Sequence, residues 1–281
     1  MEDERRDRAD QKRKHNKAKQ VAVVRAETDH TARGARVAEI TIDNPPLNLF
    51  SRAVFEQLID HLEALRADPP RAVLIKAAGK VVSGGVDVSV FDGLDEAAGS
   101  ELWEELFSGI IHPIEEMPCP VVFAAHGLTL TAAFEIALAC DLIVASPGAK
   151  FGLVETVVGL TPSMGGPQRL AERAGSGRAR ELVMTADLYS ADVLHQWGVV
   201  NVVTENSTEH AHELARRLAD GPTQAHRATK RIVAAWRSGG VQHADAMTPD
   251  ISGELFGTND LKAAVRSFLT DGPGKAEYTG T

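Results

Sequence analysis

Two glutamates lie in apolar stretches, where a carboxylate needs either a partner that compensates its charge or a catalytic role. Glu135 lies inside the apolar segment 134–139, and Glu155 follows the apolar run 151–154. Acidic side chains are almost never fully buried unless something compensates their charge. One interpretation is a salt bridge to an arginine or a solvated edge. The other is general acid/base catalysis, for which buried carboxylates are well suited.

Two small-residue loops precede these acids. The segment 83–87 (SGGVD) follows a buried apolar run, and 125–127 (AHG) leads into a helix that we expect to begin near Thr131. The first amides of a helix have no partner within the helix and lie at the positive end of its dipole. One N–H from each loop, aimed at a common point, would form an oxyanion hole. Taken singly, each loop is better interpreted as a tight turn.

The elements that must position these groups alternate along the first two-thirds of the chain. Ser51 is a candidate N-cap for a helix with apolar residues at helical spacing. The patterns predict further helices over Leu102–Ile114 and Thr131–Ala139. They predict strands over Val37–Ile42, Ala72–Ile75, Val121–Ala125, Asp141–Ala145, Lys150–Leu153 and Val199–Val203. Helices dominate from Ser163 onward. This order predicts an α/β fold of stacked ββα units with a helical C-terminal region.

Composition limits the partners. The formal net charge of -9 argues against nucleic acid or an anionic membrane as the main partner. The two cysteines, Cys119 and Cys140, read as buried thiols in a reducing compartment, which favours the cytoplasm. The ten histidines are scattered without metal-ligand spacing, so we expect no metal. No apolar run approaches the length of a membrane span.

Three parts of the chain are predicted. Residues 1–20 mix basic and acidic side chains without an apolar stretch, which indicates a solvated tail rather than a signal peptide. Residues 21–205 would form the ββα core that carries the active site. Residues 206–281 would form a C-terminal helical region. A basic arm that contacts RNA is the alternative role for the tail.

Four ordered segments resemble the crotonase (enoyl-CoA hydratase/isomerase) superfamily. Residues 80–87 (KVVSGGVD) are similar to its first signature, and 125–141, from AHG to FEIALACD, are similar to its second. Residues 151–160 (FGLVETVVGL) and 162–170 (PSMGGPQRL) resemble two later signatures. The opening NPPLN at 44–48 and the ending also fit. The resemblance covers nearly everything from Val37 onward and implies the crotonase-type spiral of ββα units.

The resemblance also implies roles for single residues. Val86 and Ala132 match the positions whose backbone N–H groups form the oxyanion hole. Glu135 and Glu155, 20 residues apart, match the two catalytic acids of the hydratases. The positions that match the coenzyme A site are Leu47, Ser83, Gly84, Val86 and Asp87. Relatives with other reactions often keep only one of the two acids, so holding both favours a hydratase.

The expected activity is therefore addition of water to an enoyl-CoA thioester, with no metal and no cofactor beyond the CoA of the substrate. An isomerase that shifts the double bond with one acid is the first alternative, and a non-catalytic or RNA-binding relative is the second. The resemblance implies a homotrimer or a dimer of trimers joined through the C-terminal helices. One departure is notable, because Thr131-Ala132-Ala133 stands where the family usually has glycines.

Overall fold

The computed structural model describes residues 23–281, so the predicted tail at 1–20 lies outside the described residues. Within that range the strands form a six-stranded and a three-stranded sheet. The larger sheet has the order β1-β2-β3-β4-β6-β9. Its strands are β1 (Val24–His30), β2 (Arg36–Ile42), β3 (Ala72–Ala77), β4 (Val121–Ala125), β6 (Leu142–Ala145) and β9 (Val202–Val203). The smaller sheet contains β5 (Thr129–Leu130), β7 (Lys150–Gly152) and β8 (Tyr189–Ser190).

Parallel pairing dominates the larger sheet. Only the β1–β2 pair is antiparallel among the described strands of this sheet, and each later strand pairs in parallel with its neighbour. Parallel strands are joined by crossovers and have both faces covered. The strands β3 and β4 are accordingly apolar and almost entirely buried.

Helices fill the crossovers and the C-terminal third. The first group is α1 (Arg52–Ala67), α2 (Glu96–Leu106), α3 (His112–Glu116), α4 (Ala132–Ala139), α5 (Gly166–Ala174), α6 (Ser176–Thr185) and α7 (Ala191–Gln196). The C-terminal group is α8 (Ser207–Ala219), α9 (Thr223–Gly253) and α10 (Asn259–Asp271). The long helix α9 bends at Gly240, where φ is 74°. Short 3-10 turns occupy Val88–Phe91, Glu155–Val158 and Glu254–Gly257.

Two apolar layers lie on opposite faces of the larger sheet. Val73 and Ile75 of β3 point into the larger layer, which includes α1 and α4. The intervening Leu74 points to the other face, where Leu214 and Ala215 of α8 cover it. This alternation is the period of two that a pleated strand imposes. The sheet is therefore a buried platform, and its loops carry the candidate site.

The α/β architecture and the helical C-terminal region agree with the sequence prediction. The strand Val121–Ala125 was predicted with its observed bounds, and the helix after Ser51 begins at Arg52. The predicted helix Leu102–Ile114 is wrong in one respect, because a π-turn at Phe107–Ile111 separates α2 from α3. Strand β1 was missed, since as an edge strand it is mostly exposed and lacks an apolar pattern. The division of the chain near residue 206 stays a prediction.

The C-terminal helices leave an apolar surface uncovered. Phe256, Val265, Phe268 and Leu269 are all exposed, and we call these four residues the C-terminal apolar surface. Leu255 and Leu261 are half-buried instead. None of the helices within residues 23–281 combines the length and apolarity needed to cross a membrane.

Candidate active site

The N-terminus of α4 is the first component of the site. The chain leaves β5 and turns at Thr131, whose N–H donates to the Gly152 carbonyl at 2.9 Å and whose carbonyl accepts from Glu135 N at 2.9 Å. Thr131 is thus the N-cap, but its side chain makes no capping hydrogen bond. The next amide, that of Ala132, has no protein acceptor within residues 23–281. It is a free donor at the positive end of a helix whose side chains are all buried.

The loop at 83–87 supplies the second component. Phe50 N donates to the Gly85 carbonyl at 2.9 Å, and Asp87 N donates to the Phe50 carbonyl at 3.1 Å. This is a parallel bridge between Phe50 and Val86, and it directs the Val86 N–H away from Phe50. In the described part of the chain that amide also has no protein acceptor.

The two loops touch beside these amides. A Cβ added to Gly85 would lie 3.0 Å from Thr131 Oγ1 and 3.4 Å from Thr131 Cγ2. Gly85 has φ of 111°, a conformation that suits glycine. Gly85 directly precedes Val86, and Thr131 directly precedes Ala132. The free amides of Val86 and Ala132 therefore belong to the residues that directly follow the two residues in contact.

Glu135 is fixed by backbone donors. The residue is 2 % exposed, and its Oε1 accepts from Met164 N and Gly166 N at 2.8 Å each. Burial raises the pKa of Glu135 to about 8, with repulsion from Glu155 as the second cause. The Gly166 and Met164 N–H groups act in the opposite direction on this pKa, because they stabilise the ionised form.

An arginine is close to this acid but pairs elsewhere. Arg169 donates from Nε and Nη2 to the two Glu115 oxygens, at 2.9 and 2.5 Å. Its Nη1 also donates to the Gly165 carbonyl at 3.3 Å. The arginine therefore holds the segment around Gly165, and Glu135 has no ion pair among residues 23–281. Sequence reasoning missed Arg169, although it belongs to the 162–170 signature.

Glu155 has a different environment. It is the first residue of the 3-10 turn Glu155–Val158, and both carboxyl oxygens are shielded from solvent. Neither oxygen has a hydrogen-bond partner among residues 23–281. Burial raises the pKa of Glu155 to about 7. A shielded carboxyl group without a donor favours its neutral form, so Glu155 can hold a proton near neutral pH.

The positions predicted to bind CoA surround the 83–87 loop. Leu47 is half exposed, and its carbonyl accepts from Gly84 N at 2.8 Å. Ser83 is fully buried, and its hydroxyl donates to the Asn48 carbonyl at 2.8 Å, so its side chain shapes the loop. Asp87 caps the 3-10 turn Val88–Phe91 by accepting from Ser89 N at 3.0 Å. Contact of these residues with CoA stays a prediction.

One cluster outside this site consists of residue types that can bind a metal ion. Asp29, Glu39 and His212 bring their donor atoms together, although they are remote in sequence. Lys76 pairs with Glu39, and Arg216 pairs with Asp29 at 2.9 Å. His212 Nε2 lies 2.5 Å from Glu39 Oε1. Since cations already neutralise these carboxylates, we interpret the cluster as an ion-pair network between the sheet and α8.

Comparison with known proteins agrees with this architecture. The family model described as enoyl-CoA hydratase/isomerase matches residues 32–277. A short-chain-enoyl-CoA hydratase of Clostridium acetobutylicum is 30% identical over 239 residues, which are 83% of this chain and 91% of that protein. A crotonyl-CoA hydratase of Syntrophomonas wolfei is 29% identical over 239 residues, with 83% and 92% coverage.

Solved structures show the same fold. An enoyl-CoA hydratase from Bacillus anthracis superposes with a TM-score of 0.82 at 26% identity, covering 91% of this chain and 99% of that one. The fold is therefore that of the crotonase superfamily. Within it, the chain belongs to the enoyl-CoA hydratase/isomerase family.

Proposed function

We propose that this protein hydrates the 2,3 double bond of a 2-enoyl-CoA to give a 3-hydroxyacyl-CoA. The observation that carries the proposal is that the carboxyls of Glu135 and Glu155 are shielded from solvent while the Val86 and Ala132 amides have no acceptor among residues 23–281. A conjugated thioester needs both components, because water attacks carbon 3 while negative charge develops on the thioester oxygen. The named activities of the relatives support the same reaction.

The oxyanion hole would consist of the Val86 and Ala132 amides. Each donor of this kind contributes roughly 3–4 kcal/mol in comparable sites, because it is fixed before the charge develops. The dipole of α4 adds to this effect at Ala132. The methyl group of Ala132 does not remove the donor, since only the backbone N–H is needed.

The two acids would share one proton. Two interacting carboxyls titrate as a pair, so an apparent pKa describes the pair rather than one of the two residues. The higher pKa falls on Glu135, yet both backbone donors are there and stabilise its ionised form. Glu155 has no hydrogen-bond donor in the part of the chain that the structure describes, which favours its protonated form. We therefore place the shared proton on Glu155.

Each bond in the proposed step has a residue assigned to it. Glu135 orients the water and accepts one of its protons as the oxygen bonds to carbon 3. The electrons of the double bond move toward the thioester, and the amides of Val86 and Ala132 stabilise the oxygen that becomes negative. Glu155 then delivers its proton to carbon 2. The product gains one water, and the proton on Glu135 returns to Glu155 through solvent.

The ligand would be an acyl-CoA thioester, with no metal and no redox cofactor. The candidate CoA contacts remain Leu47, Ser83, Gly84, Val86 and Asp87, of which Leu47 is half exposed and Ser83 is buried. The small residues of the 83–87 loop would let the pantetheine approach the backbone closely. Ser83 would act indirectly, by holding the loop.

A spectrophotometric assay with crotonyl-CoA tests the proposal, because hydration removes the absorbance of the conjugated thioester. We expect that absorbance to fall with wild-type protein and a 3-hydroxyacyl-CoA to appear. A 3-enoyl-CoA substrate separates hydration from isomerisation. Formation of conjugated product from the 3-enoyl-CoA, without hydration of crotonyl-CoA, would assign the protein to the isomerase alternative.

We also propose that the C-terminal apolar surface (Phe256, Val265, Phe268 and Leu269) joins copies of this chain into a trimer or a dimer of trimers. These four large apolar side chains are exposed within residues 256–269, and exposed apolar patches are typical of protein interfaces. Light scattering after gel filtration measures the mass directly. We expect Phe268→Ser to lower it to that of a monomer, and a monomeric wild type would refute this proposal.

A further inference from the structure

The side-chain hydroxyl of Thr131 is not hydrogen-bonded within the described part of the chain. The residue is 6 % exposed, and its Oγ1 has no hydrogen-bond partner among residues 23–281. It is the N-cap of α4, yet it makes no capping bond to the helix. Buried polar groups in folded proteins are nearly always paired, so an exception needs an explanation.

The backbone at the same residue is strained. Thr131 has φ of 48° and ψ of -122°, the values of the first central residue in a type II′ turn. Glycine dominates that position because it has no Cβ, and a β-branched residue there is an outlier. Such strain persists only where the surroundings enforce it, and it is concentrated at functional sites. Thr131 thus holds a backbone conformation that glycine would adopt with less strain.

The hydroxyl lies at the contact between the two loops that carry the amides of the proposed oxyanion hole. Oγ1 is 3.0 Å from the point where a Cβ on Gly85 would be, and Gly85 directly precedes Val86. Thr131 directly precedes Ala132, the other donor. The missing Cβ of Gly85 leaves room for the hydroxyl at this contact.

Resting on the proposed function, we infer that Thr131 is a third hydrogen-bond donor to the thioester oxygen and therefore a catalytic residue. A hydroxyl carries one donor hydrogen that can rotate toward an acceptor. The acceptor becomes more basic as negative charge develops, so the bond strengthens in the transition state. The side chains of Thr131 and Ala132 leave less space for the thioester than glycines would. The additional hydrogen bond from the hydroxyl would offset this steric cost.

Infrared spectroscopy tests the bond itself. Butyryl-CoA with a carbon-13 label in the thioester carbonyl is bound to each protein, and the labelled stretching band is compared. Hydrogen bonds lower the frequency of a carbonyl stretch. We expect Thr131→Val, which replaces the hydroxyl with a methyl group, to move the band to higher frequency. Thr131→Ser keeps the hydroxyl and should retain the lower frequency.

Turnover provides the second readout. Thr131→Val should lower kcat on crotonyl-CoA by roughly 10- to 100-fold, the usual effect of losing a hydrogen bond to a charged group. Binding of butyryl-CoA should weaken much less, because the ground-state oxygen carries little charge. Thr131→Gly is the safeguard for folding, since glycine suits this backbone. Thr131→Gly should raise the melting temperature. It should still lower turnover and move the carbonyl band to higher frequency, as Thr131→Val does.

An unchanged band and unchanged turnover in Thr131→Val would overturn the inference, and so would full turnover in Thr131→Gly. The two proposals can fail separately. A wild type that binds butyryl-CoA without hydrating crotonyl-CoA refutes the proposed function, while the band comparison still decides whether Thr131 donates. A wild type that binds no acyl-CoA refutes both.

Discussion

Glu135 Oε1 accepts from Gly166 N at 2.8 Å, and a Cβ on Gly166 would lie 3.0 Å from the same oxygen. A side chain at position 166 would therefore crowd the Glu135 carboxylate. The same Cβ would also lie 3.0 Å from Leu153 Cδ1. The position of Glu135 therefore depends on a residue 31 positions later in the chain that has no side chain.

Gly166→Ala should displace the Glu135 carboxylate and lower kcat, since small misplacements of a catalytic group cost up to roughly 100-fold. Crotonyl-CoA hydration measures kcat, and binding of butyryl-CoA checks that the site remains. Gly177→Ala in α6 is the matched control, because a Cβ there meets no atom of the described residues within 4 Å. Equal activity of both variants would contradict this account.

Replacement of either acid should remove turnover and leave binding. Glu135→Gln and Glu155→Gln are nearly isosteric, so acyl-CoA should still bind. We expect kcat to fall by roughly 100-fold or more, the range for loss of an acid or base. The exposed variant Glu181→Gln is the control. Full hydration by both active-site variants would refute the assignment of these residues.

The raised pKa values predict that stability depends on pH. Glu135 and Glu155 bind protons more tightly when folded, with pKa values of about 8 and 7. Their stabilising effect is fully present below the unfolded pKa, near 4.5, and is lost as pH rises through 7 and 8. Glu155→Gln should therefore raise stability at pH 8 by up to about 3 kcal/mol, at about 1.4 kcal/mol per unit.

Denaturant unfolding at pH 5 and pH 8 measures this effect. The gain from Glu155→Gln should be much smaller at pH 5, where the native carboxyl is already protonated. The same variant should lower the pKa of Glu135, because the neighbouring charge is gone. An equal gain at both pH values would mean that burial of Glu155 does not govern its protonation.

Catalytic activity should follow the shared proton. The mechanism requires one ionised and one protonated carboxyl, so kcat/KM should be bell-shaped. With pKa values of about 7 and 8, the maximum should lie between these two pH values. A profile that is flat from pH 6 to pH 9 would contradict proton sharing, and a profile with a single limb would indicate one essential acid.

Arg169 should act as a positioning residue. Its pair with Glu115 is largely buried, and in Arg169→Met the carboxylate keeps its contact with Arg237, so the change should cost about 2 kcal/mol. It should also lower kcat more than it raises KM, because the segment that holds Glu135 loosens. Glu254→Gln breaks an exposed pair with Arg231 and should cost less than about 1 kcal/mol. Stability loss with unchanged kcat would indicate a purely structural role.

The sequence by itself determined the elements and the candidates. The apolar run Val121–Ala125 and the apolar surroundings of Glu135 are local patterns, and they predicted a buried strand and a buried acid. The ordered signatures predicted the family, which the comparisons confirm. The roles of the site residues stay predictions.

Only the tertiary structure decided which groups have partners. Hydrogen-bond pairing depends on residues distant in the chain, such as Gly166 for Glu135 and Glu115 for Arg169. No local pattern distinguishes an acid held by backbone amides from one without a donor, as Glu155 is among residues 23–281. The unpaired hydroxyl of Thr131 became visible for the same reason, since its surroundings come from two separate loops.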